Sequence, residues 1–111
     1  MEITTTPYNR CVVVKTSGRI DGSNAPDLGK ALKEITESGK FNIVFDMSEV
    51  NFMASAGWWI LIDTQKTCKK LNRGELVLAF VDKSIKESLT LVGMSSYFKT
   101  FDDLTAAVGS F

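Results

Sequence analysis

Short runs of β-branched and aromatic residues alternate along this chain with segments whose apolar positions recur at helical spacing, and that alternation restricts the fold more than any single motif does. Cys11-Val12-Val13-Val14-Lys15-Thr16 reads as a strand, and Ile3 to Thr6 as a shorter partner before the Pro7-Tyr8-Asn9 turn. Phe41 to Met47 is short, apolar and aromatic, which predicts a buried central strand with Asp46 at its exit. Glu75 to Val81 reads as another strand, and Tyr97 to Phe101 as a last short strand or extended turn.

Helical signals fill the intervals. Ala25, Leu28, Ala31, Leu32 and Ile35 form one stripe, opened by Ser23-Asn24 with Pro26 and Asp27 in the first turn and closed at Gly39. A second stripe starts at Gly57 and runs through Trp58, Leu61, Gln65, Cys68 and Leu71 or Asn72, with Gly74 closing the helix. Its cations Lys66, Lys69, Lys70 and Arg73 gather late, where they suit the macrodipole, and the lysines read as a solvated face. Ser84-Ile85-Lys86-Glu87 has capping-box spacing ahead of Ile85, Leu89 and Val92, and Asp102-Asp103 precedes a terminal helix carrying Leu104, Ala107 and Val108. Right-handed crossovers then predict one α/β domain over residues 1–111, with a mixed sheet of about four or five strands covered by about four helices.

Composition removes several classes of function. At 111 residues, 44% of them apolar, the chain has material for one ordinary core. Thirteen basic and thirteen acidic residues cancel, leaving no broad positive field for a phosphate backbone, so nucleic acid is not an expected partner. The run Trp58-Trp59-Ile60-Leu61-Ile62 is too short to span a bilayer, and no signal-peptide pattern follows Met1, so a cytoplasmic protein without a membrane partner is expected. Cys11 and Cys68 are expected to be buried free thiols. With no histidine, neither a Ser-His-Asp nor a Cys-His arrangement can be assembled, and the commonest zinc ligand is missing. The expectation is a non-enzyme without cofactor or metal.

Two loops lie where strands end and helices begin: Gly18 to Asn24, and Ser48 to Gly57. The second contains Phe52-Met53-Ala54-Ser55-Ala56-Gly57-Trp58-Trp59, a strand-to-helix turn with a lone serine. Ser55 is open to two readings, a helix cap or a chemical switch. Adjacent helical positions diverge by about 100°, so the two tryptophans cannot share one stripe; Trp58 is expected in the core and Trp59 on the surface. Asp21 beside Gly22 fits a turn residue bonding its own backbone, and Ser23 and Asn24 fit a helix cap. All three could equally line a surface shared with Ser55 if the two strands are neighbours.

Taken in order, Gly18-Arg19-Ile20-Asp21, Ala25-Pro26-Asp27-Leu28, Phe45-Asp46-Met47-Ser48-Glu49-Val50-Asn51-Phe52-Met53, Gly74-Glu75-Leu76-Val77-Leu78, Leu91-Val92-Gly93-Met94 and Phe101-Asp102-Asp103-Leu104 resemble a STAS domain of the anti-sigma factor antagonist type over nearly the whole chain. The resemblance implies a regulatory binding module. Its partner would be an anti-sigma factor that is often also a serine kinase; phosphorylation at the start of the second helix would end binding, and a serine phosphatase would restore it. The family stretch usually reads D-S-S-G or S-S-A-G followed by leucine, which puts Ser55 on the phosphoacceptor and Ala54 where many relatives carry aspartate or serine. It implies a partner surface formed by Asp21, Ser23, Asn24, Ala54, Ala56, Gly57 and Trp59. The alternative is a STAS scaffold or ligand-sensing module in which Ser55 is never phosphorylated.

Overall fold

The structure, a computed structural model, describes residues 1–111. Five strands and four helices follow one another as β1 (Ile3–Pro7), β2 (Val12–Ile20), α1 (Ala25–Glu37), β3 (Ile43–Met53), α2 (Ser55–Lys69), β4 (Leu76–Ala79), α3 (Lys83–Leu91), β5 (Thr100–Phe101) and α4 (Leu104–Gly109), with a short 3-10 turn at Lys70–Asn72. They form the single α/β domain with a mixed sheet that the sequence predicts.

Strand order in the sheet is the chain order, with β1 antiparallel to β2 and every later pair parallel. Successive right-handed crossovers that all step in one direction must put their helices on one face. Accordingly α1, α2 and α3 bury the main core, which includes Val14, Ile20, Leu28, Phe45, Trp58 and Leu89. The other face has a small cluster of Cys11, Val13, Val44, Val77 and Ala79 under Ala107 of α4. Trp58 is fully buried, and its indole N–H donates to Ser88 Oγ at 2.8 Å, so α2 is tied to α3 without leaving a polar group unpaired.

Several boundaries differ from the sequence reading, each for an identifiable reason. β2 does not stop at Thr16 but continues through Gly18 to Ile20, and β3 does not end at Asp46 but continues to Met53. Register shifts interrupt their pairing between Lys15 and Ser17 and between Gly18 and Arg19, so a glycine at φ 82° and the polar run Ser48-Glu49 mark bulges, not loops. Asp46 is therefore a buried mid-strand residue, and its Oδ1 accepts from the Ser48 N–H at 2.9 Å across the irregularity. Leu71 and Asn72 fall outside the helical stripe at positive φ, and Leu71 is exposed. Gly74 does not cap α2; a Cβ there would collide with the Phe41 carbonyl. The cap of α3 is Asp82, which accepts from Ile85 N–H, with Ser84 Oγ donating to the same carboxylate in place of a Ser84 capping box.

Gln65, read from sequence as part of an apolar stripe, is fully buried and completes the sheet. β4 pairs with β5 only from Leu78 onward, so Leu76 at the start of β4 faces no strand on that side. The Gln65 side chain fills the vacant place: Oε1 accepts from Leu76 N–H at 2.7 Å, and Nε2 donates to the Leu76 carbonyl at 2.9 Å and the Tyr97 carbonyl at 3.3 Å. Removing the amide would leave buried backbone groups unpaired, at about 1–3 kcal/mol each. Gln65→Leu is therefore expected to lower unfolding free energy in urea by about 2–4 kcal/mol despite its added apolar volume; an unchanged midpoint would refute this role.

Candidate functional site

β2 and β3 end level with each other, Ile20 opposite Met53, so the segments leaving them share one rim of the sheet. In parallel sheets this carboxyl-end rim is where sites collect. One residue separates β3 from α2. Ala54 is extended and donates its N–H to the Ile20 carbonyl at 2.8 Å, fixing the turn to the neighbouring strand. Gly57 lies one turn on and is buried against both strand ends: a Cβ there would sit 2.7 Å from Met53 Sδ and 2.8 Å from Ile20 Cγ2. Only glycine lets α2 approach this closely.

That seat decides where Ser55 stands. It is the first residue of α2 and is exposed at the rim. The cap reading is overturned, because the N-cap position belongs to Ala54, which has no side-chain acceptor. The Ala54 carbonyl receives Gly57 N–H at 3.0 Å and Trp58 N–H at 3.3 Å, whereas no capping side chain serves the N–H groups ahead of them. The second helix thus opens with free donors beside a solvent-facing hydroxyl.

Trp59 lies one helical turn from Ser55, so the two project from the same side of α2. It is 50% exposed, against 0% for Trp58, the division expected from their angular separation. Ala54 and Ala56, on either side of Ser55 in the chain, are half-buried. Gly57 belongs beneath the surface, where it works by packing.

The loop after β2 comes to the same rim but is built differently from the sequence reading. Asn24 is the N-cap residue of α1, as the sequence suggests, and its carbonyl accepts from the Asp27 and Leu28 N–H groups. Its backbone is helical, however, and its side chain makes no capping bond, while Ser23 lies outside the cap. The Asn24 amide folds back on the loop, Nδ2 donating to the Arg19 carbonyl at 2.8 Å and Oδ1 accepting from Asp21 N–H at 2.9 Å. Asp21 Oδ1 accepts from the Ser23 hydroxyl at 2.6 Å and the Ser23 N–H at 3.0 Å. These bonds, the hydroxyl first, hold the Asp21 carboxyl below its usual range, with the charge of Arg19 a smaller influence. Asp21 stays ionised while shaping the loop.

Two rim residues escaped the sequence reading. Arg19 and Phe52 are cross-strand partners, and the guanidinium lies 4.2 Å from the centroid of a ring that is 40% exposed. Both lie in segments that the sequence reads as loops, so their register is not legible there; the available signal is an aromatic next to the β3 end. Elsewhere, Cys11 and Cys68 are buried and free, and burial raises both thiols, Cys68 to about 11. No group of three or more His, Cys, Asp or Glu side chains is placed to hold a metal ion, and no helix is long and apolar enough to cross a membrane.

The chain that folds in this way is a member of the STAS domain family, whose model matches residues 2–107. It is 23% identical over 111 residues to BtrV of Bordetella bronchiseptica, which carries the name anti-sigma factor antagonist, covering 100% of this chain and 95% of that protein. It is similar to the crystal structure of an anti-sigma factor antagonist from Mycobacterium paratuberculosis, with 25% identity, a TM-score of 0.84, and coverage of 98% of this chain and 92% of that one. It shares its fold with the phosphorylated form of the Bacillus cell fate determinant SpoIIAA, at 13% identity and a TM-score of 0.75, covering 99% and 100% of the two chains.

The seat makes a direct prediction. Gly57→Ala should cost about 1–3 kcal/mol of stability, the range of overpacking, because Met53 and Ile20 must both shift. Urea unfolding within about 0.5 kcal/mol of the wild type would show that the close approach is not needed.

Proposed function

We propose that this protein is an anti-sigma factor antagonist, a non-catalytic binding module whose partner is an anti-sigma factor with serine kinase activity, and that phosphorylation of Ser55 ends the binding. The observation that carries the proposal is the position of Ser55: exposed, unused as a cap, and on the first residue of a helix seated at the shared rim of β2 and β3. Family membership and the names of its relatives support the class of partner. A cytoplasmic setting and a serine phosphatase that resets Ser55 complete this reading.

Physical chemistry favours a switch of surface over a switch of fold. A phosphoserine adds nearly two negative charges, and a helix N-terminus with unserved N–H groups tolerates them. Near a partner the same charge must be desolvated or paired, which can cost several kcal/mol, enough to dissociate a complex of micromolar affinity. The proposed contact surface consists of Asp21, Ser23, Asn24, Ala54, Ala56 and Trp59, with Gly57 as the seat below. Trp59 is its aromatic anchor. One observation favours a second reading, a STAS scaffold without phosphorylation: the N-cap residue Ala54 gives a kinase no polar group beside the acceptor.

The two readings part on mutation. With a cognate kinase and ATP, the wild type should gain one phosphate and Ser55→Ala none, while Ser55→Ala keeps its partner. Ser55→Asp should stay folded, gaining about 0.3–1 kcal/mol from charge at the helix start, and bind the partner at least about tenfold more weakly. A folded Ser55→Asp that binds like wild type, with no phosphate on Ser55 in protein from its own cells, would leave the scaffold reading. Trp59→Ala should cost about 2 kcal/mol or more in binding and little in stability; the opposite pattern would make Trp59 a packing residue.

A further inference from the structure

The edge of the sheet farthest from β5 is open. β1 has β2 on one side only, and along its whole length, Ile3-Thr4-Thr5-Thr6-Pro7, it carries no charged side chain of the kind that usually guards an exposed edge. Its ladder parity is fixed by two bonds to β2: Ser17 N–H donates to the Glu2 carbonyl at 3.2 Å, and Tyr8 N–H to the Cys11 carbonyl at 2.8 Å. Even-numbered residues of β1 therefore direct their backbone groups toward β2. Ile3, Thr5 and Pro7 direct theirs outward, so the free edge offers the N–H of Ile3 and Thr5 and the carbonyls of Ile3, Thr5 and Pro7.

This set of groups is complementary to itself. In an antiparallel pairing of two β1 strands centred on Thr5, each Thr5 N–H meets the Thr5 carbonyl of the other copy. Each Ile3 N–H likewise meets a Pro7 carbonyl. Proline has no N–H, and here it falls where only the Ile3 carbonyl goes unmatched. The side chains agree with the backbone. Ile3, Thr5 and Pro7 line a groove of about 460 Å³ between β1 and α1, together with Val12, Ala31 and Ile35, so there is room beside the edge for an incoming strand. The same groove is flanked by Glu34 and Lys40. A twofold axis through Thr5 runs the two α1 flanks in opposite directions and brings Glu34 of one copy toward the end where the other carries Lys40.

We infer that the occupant of this edge is a second copy of the chain, joined β1 to β1 about a twofold axis at Thr5 to make a continuous ten-stranded sheet, from five strands in each copy. The contact is short, so the dimer belongs to the small-interface class and forms in a concentration-dependent equilibrium. β1 lies on the far side of β2 from β3, which leads into Ser55, so β2 and β3 separate the dimer contact from that residue.

Parity supplies a selective test. The Thr5 N–H takes no part in the β1–β2 ladder, so Thr5→Pro removes both central intermolecular bonds and none within the fold. Sedimentation equilibrium of the intact chain up to about millimolar concentration should show a monomer–dimer equilibrium that Thr5→Pro weakens by at least about tenfold. Circular dichroism should show both proteins folded. Thr5→Cys should also form an interchain disulfide on mild oxidation, because a residue on the axis faces its own copy at about 5.5 Å between Cα atoms; Cys11 and Cys68 are buried and do not compete. A wild type that stays monomeric throughout, a folded Thr5→Pro that dimerises like the wild type, or a Thr5→Cys protein that fails to cross-link would each overturn the inference.

Discussion

The geometry of the candidate site depends on one close approach, that of Gly57 to Ile20 and Met53. Because the glycine has no Cβ, α2 rests directly on the last residues of the two neighbouring strands. The Ala54 N–H to Ile20 carbonyl bond then locks the turn to β2 as well as to β3. Ser55, Ala56 and Trp59 inherit their positions from that seat. The loop carrying Asp21, Ser23 and Asn24 begins one residue beyond Ile20, so the same contact also fixes its distance from α2. Thus a packing constraint at a buried glycine sets the composition of a surface.

Burial and exposure are kept apart along α2. Its inward positions Trp58, Leu61, Ile62, Gln65 and Cys68 are fully buried, and Trp58 and Gln65 use their polar atoms to join α2 to α3 and to β4. Its outward start carries the hydroxyl and the exposed indole. Charge added at Ser55 therefore meets free N–H groups and water before it meets the core. Under the proposed switch, the module changes what it binds while its fold stays as it was.

The order of elements, the mixed sheet and the split between Trp58 and Trp59 were legible because period and composition agreed there. Phe41 to Met47 was apolar enough to betray a central strand, and a 100° turn between neighbours is a property of any helix. What was not legible came from pairs distant in sequence. Gly18 and Ser48-Glu49 looked like loops because a bulge uses the same residue types as a turn, and only the register of β2 against β3 tells them apart. With those strands cut short, Arg19 and Phe52 could not be seen as partners. Gln65 looked like a stray polar residue in a stripe until β5 proved too short to serve Leu76. Ser55 as a cap was a fair inference from residue type, and it failed because the chain turned one residue earlier, at Ala54.

The central claim is that phosphate on Ser55 changes the surface and not the fold, and hydrogen exchange on protein phosphorylated stoichiometrically at Ser55 tests it most directly. Amide protection through α2 and β3 should match that of the unmodified protein, and the partner should protect the rim of the unmodified protein while leaving the phosphorylated rim unprotected. Loss of protection along α2 on phosphorylation, or equal protection of both forms by the partner, would contradict the account.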